Sequence, residues 1–153
     1  MIKNHVVSLE IAKQLKNAGW KKETRFYWAD CSTDRRWEKD NLESLKSFMI
    51  IDDNTAISRK CNGDNFIYFA PLATELLEEL PDAIHDDKEP PIYGYLWIHR
   101  VWNGTAWRIE YRYPTNNWYV NLPCLEYPIN KSLPDALGMM YLNLTQNNLL
   151  VKE

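Results

Sequence analysis

Apolar and polar positions follow different rhythms along this chain, and each rhythm predicts an element. Leu9, Ile11, Ala12, Leu15 and Ala18 recur at helical spacing, with Ser8 before them as an N-cap and Gly19 after them as a left-handed C-terminal residue. The spacing predicts a first helix over 8–18. Phe26, Tyr27 and Trp28 read as a short aromatic strand, and so do Phe66, Ile67, Tyr68 and Phe69. Pro71 opens a second helix carrying Leu72, Ala73, Leu76, Leu77 and Leu80, and Pro81 stops it. Residues 30–64 are the least regular stretch; Leu42, Leu45, Phe48 and Met49 predict one helical stripe there. Residues 82–91, polar and bounded by prolines, read as an exposed loop.

From Tyr93 the rhythm changes to period two, and Asn103-Gly104 between two such runs is a strong hairpin signal. Strands over 93–102 and 105–113 should pair, with Trp102 opposite Thr105, Arg100 opposite Trp107, Ile98 opposite Ile109 and Leu96 opposite Tyr111. In that register Trp107, Ile109 and Tyr111 belong to the core side. A second turn at 114–117 leads into Trp118, Tyr119 and Val120, placing Tyr113 opposite Trp118 and Tyr111 opposite Val120. The last helix opens at Ser132, with Asp135 completing a capping-box-like start, and runs to about Gln146. These elements sum to one α+β domain over 1–153, an antiparallel sheet with a C-terminal three-stranded meander packed by about three helices.

Composition narrows the function classes. Of the 153 residues, 45% are hydrophobic and 25% charged, the balance of a folded globular chain. A net charge of -3 argues against a protein that coats duplex DNA by neutralising phosphates. The outlier is 13% aromatic residues, which supply contact area to cores and binding faces alike. Cys31, Cys61 and Cys124 are odd in number and distant from His5, His85 and His99, so zinc spacing is absent and no metal or cofactor is expected. No apolar leader precedes the first helix and no run is long enough to span a membrane, so the expected location is the reducing cytoplasm. The matches to N-x-S/T at Asn103, Asn130 and Asn143 are then chance.

Chemistry is hard to find. The 5 glycines never form a phosphate-binding loop, no G-x-S-x-G or H-E-x-x-H occurs, and the acid pairs Asp52-Asp53, Glu78-Glu79 and Asp86-Asp87 read as solvated charge. The chain is therefore read as a non-enzyme. What the hairpin register leaves is a sheet face carrying Tyr95, Trp97, His99 and Val101 on one strand, Arg108, Glu110 and Arg112 on the next, and Tyr119 and Asn121 on the third. Its pairs Trp97–Glu110, Tyr95–Arg112 and His99–Arg108 can simply stabilise an exposed sheet by about 0.2–1 kcal/mol each. The same residues can also form a platform on which a partner's side chains or single-stranded bases stack.

The segments Ser8 to Gly19, Phe26-Tyr27-Trp28, Tyr68 to Pro81 and Asp135-Ala136-Leu137 resemble small uncharacterised proteins of phages and prophages. Those proteins carry a capped S-L-E-x-A-K-x-L-K helix, an F-Y-W strand, an A-P-T-x-x-E-L-L-x-x-L-P helix and a closing A-D-A-L helix. Leu72 stands where that pattern has Thr, and Pro134 replaces the small residue before the Asp. The resemblance implies a setting, a small cytoplasmic accessory protein of a bacterial mobile element, and brings no activity or site residues to carry over. The expectation is an interaction protein that binds a host or phage protein or nucleoprotein, such as a defence component, through Tyr95, Trp97, His99, Arg108, Glu110, Arg112 and Tyr119, with 30–64 as a further interaction region. Two alternatives stand beside it: single-stranded nucleic-acid or nucleotide binding on the same face, with Arg35 and Arg36 adding charge, and an enzyme of unrecognised type.

Overall fold

The structure, a computed structural model, describes residues 2–30, 48–56, 67–86, 92–101, 103–115, 119–121 and 125–150. Its class is α+β, with antiparallel strands in two separate sheets, and its contacts gather into two compact units, Met1–Leu72 and Ala73–Glu153.

In the first unit a 3₁₀ turn (Ile2–Asn4) precedes helix α1 (Leu9–Asn17). Ser8 caps α1 by accepting from the Ile11 amide. Its other end is a Schellman closure: Gly19 at φ 89° lets its own N–H reach the Lys16 carbonyl and that of Trp20 reach the Leu15 carbonyl. Three strands follow, β1 (Phe26–Asp30), β2 (Phe48–Asp52) and β3 (Ile67–Phe69), in the order β2-β1-β3. The pairings Tyr27–Ile51 and Tyr27–Phe69 align three side chains on one face, where they pack with Ala29, Ala56 and Ile67. On the other face of β1 the indole of Trp28 donates to the Val7 carbonyl at 2.9 Å.

Two expectations fail here, one within this unit and one where it ends at Leu72. Phe48 and Met49 lie on β2 rather than on a helix, because Phe48 to Ile51 is a continuous apolar run that gains backbone partners along β1, Met49 opposite Ala29 and Phe48 opposite Asp30. Leu42 and Leu45 lie outside the described residues. Helix α2 (Ala73–Glu79) starts two residues after Pro71, since Leu72 bridges Val6 and the Pro71 carbonyl accepts from the Val7 amide, holding both residues extended.

The second unit contains α2, strands β4 (Ala83–Asp86), β5 (Ile92–Val101), β6 (Ala106–Pro114), β7 (Tyr119–Asn121) and β8 (Ile129–Asn130), and helix α3 (Leu133–Gln146). The sheet order is β4-β5-β6-β7, with β8 also pairing β6. The 82–91 segment is thus corrected: 83–86 is an edge strand, with Ile84 opposite Gly94 and buried, while 87–91 lie outside the described residues. The hairpin register matches the sequence reading: Arg100–Trp107, Ile98–Ile109 and Leu96–Tyr111 all face each other, around Asn103 and Gly104 at φ 55° and 84°. The predicted Trp102 contact lies outside the described residues.

The third strand is displaced. Tyr113 faces Val120, not Trp118, and Arg112 faces Asn121, so the connection is two residues longer than predicted. An even shift keeps each residue on its expected side of the sheet. Ile109 and Tyr111 are fully buried, and Tyr111 donates its hydroxyl to the Pro81 carbonyl at 2.7 Å. Trp107 is only half-buried, lying under the Arg100 guanidinium at 4.6 Å from its ring centroid. Helix α3, capped by Ser132 and closed at Asn148 in a second Schellman arrangement, buries Ala136, Leu137, Met140 and Leu144. The reciprocal half of its capping box is absent, because the Ser132 amide donates to Asn130 Oδ1 rather than to Asp135.

Candidate binding face

The predicted face exists, but its parts are not equally available. Alternation along β5 turns Tyr93, Tyr95 and Trp97 to one side, and they keep 54%, 51% and 37% of their surface accessible. Tyr93 was not among the predicted site residues. Its signal was present, two residues before Tyr95 on the same strand and so on the same side.

On β6 the same side carries Arg108, Glu110 and Arg112, with His99 opposite Arg108, Trp97 opposite Glu110 and Tyr95 opposite Arg112. Glu110 corrects the expectation of an exposed charged face: it has no accessible surface. Its carboxylate is ion-paired with Arg108 Nε through Oε1 and with an Arg112 Nη through Oε2, while the two arginine side chains stay 33% and 26% exposed. A buried carboxylate is tolerable only when charge-paired, and alternate positions on one strand bring both cations to it. Arg112 also stands 5.4 Å from the Trp97 ring centroid, within cation–π range.

The result is a continuous patch of aromatic rings and two guanidiniums closed over one carboxylate, with a formal charge of +1 for the triad. Each guanidinium offers five N–H donors, and two carboxylate oxygens cannot engage them all. Arg112 Nε is buried with no hydrogen-bond partner. His99 is half-buried. Of Tyr119 and Asn121 the structure gives the backbone register, opposite Pro114 and Arg112.

Elsewhere, Asp52 accepts the Thr55 amide at 2.9 Å, which holds its carboxyl below its ordinary value. Burial raises the Tyr27, Tyr111 and Tyr141 phenols, with smaller contributions from neighbouring carboxylates: Asp53 for Tyr27, Asp82 for Tyr111 and Glu79 for Tyr141. Among the described residues no three His, Cys, Asp or Glu side chains come together as metal ligands, and no helix is long and apolar enough to cross a membrane. Comparison with known proteins finds no matching family model, no matching curated protein and no matching solved structure.

Proposed function

We propose that this protein works by binding another protein through the β5–β6 face, without catalysis. The observation that carries the reading is the run Tyr93, Tyr95 and Trp97, three large rings accessible at successive outward positions of one strand. Tyr and Trp are enriched in the energetic centres of protein interfaces, because their rings bury much area at little entropic cost. Arg112 stands against Trp97 and across from Tyr95, Arg108 lies across from His99, and both arginines are ion-paired to Glu110.

Binding of single-stranded nucleic acid on this face is the weaker reading. The triad there carries one net positive charge, and a polyanion gains affinity mainly by having many phosphates neutralised. The setting implied by the resemblance to phage and prophage proteins supplies the class of partner: a host or phage protein in the bacterial cell, with a component of a defence system as one such target.

The test is capture from bacterial lysate with wild-type and Trp97→Ala bait, analysed by cross-linking mass spectrometry. A partner cross-linked beside β5 and lost from the Trp97→Ala bait supports the reading. Partners that bind both baits equally, with cross-links elsewhere, would overturn it.

A further inference from the structure

Resting on that reading, we infer that the partner presents an acidic segment, whose carboxylate is taken by Arg112 while its neighbouring apolar groups lie on Tyr95 and Trp97. The argument is charge complementarity at the centre of the patch. Two guanidiniums around one carboxylate leave the triad at +1, and both arginines keep accessible surface although Glu110 keeps none. The charge that reaches the surface is therefore positive, within a chain whose overall charge is -3.

Geometry selects the same chemistry. Arg112 stands 5.4 Å from the Trp97 ring centroid and is the cross-strand register partner of Tyr95. A carboxylate arriving there meets a planar donor fork already oriented by Glu110 and Trp97, so little side-chain freedom is lost on binding. A basic segment would instead meet like charge, and the carboxylate paired to those arginines, Glu110, is buried. A nucleic-acid strand carries one charge per nucleotide and would find a single net positive charge within the triad. One carboxylate flanked by apolar side chains matches both the charge and the rings.

The experiment selects from a displayed library of random 12-residue peptides on immobilised full-length protein, with a ten-nucleotide oligo-dT strand titrated in parallel. The expected result is enrichment of peptides with Asp or Glu beside apolar residues. Their affinity should fall with added salt and weaken at least about 30-fold in Trp97→Ala, the factor equivalent to a 2 kcal/mol interface anchor. Tyr95→Glu sets a carboxylate of the chain's own opposite Arg112, and should displace these peptides more strongly than Tyr95→Lys does. Both changes are at an exposed strand position and leave Arg108, Glu110 and Arg112 themselves unaltered.

Enriched peptides that are neutral or basic, or acidic peptides indifferent to the Glu–Lys exchange at 95, would overturn the acidic inference and leave the binding face standing. Peptides unaffected by Trp97→Ala would overturn the face itself. Oligo-dT binding that Trp97→Ala abolishes, with no peptide enriched, would overturn both in favour of nucleic acid.

Discussion

Trp97 and Glu110 stand directly opposite each other on β5 and β6, yet the indole keeps more than a third of its surface accessible and the carboxylate keeps none. The pair shows how the face is built: the charge lies underneath, and the rings and guanidiniums lie on top.

That layering makes the triad asymmetric to mutation. Glu110→Ala releases two arginines that already reach water, so the expected loss is about 1–3 kcal/mol. Replacing both Arg108 and Arg112 by Ala instead strands a buried carboxylate, at a cost of about 3–5 kcal/mol. Urea denaturation of the two variants should rank them in that order; equal losses would mean that Glu110 finds water in the folded protein.

Tyr111 predicts the alkaline limit of stability. Its phenol is pushed well above its ordinary value, first by burial and then by Asp82. A raised value in the folded state means that this group's contribution is complete below the unfolded pKa of about 10 and drains away as pH rises beyond it. Tyr111→Phe should lose about 0.5–1.5 kcal/mol at neutral pH with the Pro81 hydrogen bond, and should flatten the decline above pH 10. Thermal melts across pH 8–12 would measure both.

The hairpin predicts a conformational penalty without a steric one. A Cβ on Gly104 would come no closer than 3.8 Å to Arg100 Cδ, an ordinary contact, but φ 84° is a left-handed conformation. Gly104→Ala should therefore cost about 1–2 kcal/mol, while Asn103→Gly should be close to neutral. Chemical denaturation of the two variants provides the comparison.

Asp52 predicts acid sensitivity in the first unit. Because the Thr55 amide lowers its pKa, its contribution is present above the ordinary carboxylate range and is lost as pH falls through the depressed folded value. A carboxyl-carbon NMR titration should place Asp52 below an unperturbed Asp. A midpoint at the unperturbed value would show that the Thr55 contact is not held in solution.

The elements readable from the sequence are those whose causes lie within a few residues of one another. Ser8 and Gly19 bracket α1, Ser132 opens α3, and Asn103-Gly104 sets a two-residue turn that fixes every cross-strand pair from Tyr95–Arg112 inward. Period-two alternation then assigns Trp97 and Arg112 to one side and Ile109 and Tyr111 to the other.

What depended on distant partners was not readable. Phe48–Asp52 is a strand because β1, about twenty residues earlier, offers it a ladder, and Ala83–Asp86 is one because β5 does. Pro71 and Leu72 stay out of α2 because Val6 and Val7 claim them. The sequence by itself determined which residues share the candidate face; only the tertiary structure decided which of them reach its surface. Sidedness follows from strand parity, whereas burial of Glu110 requires two cations to arrive at one carboxylate and close over it.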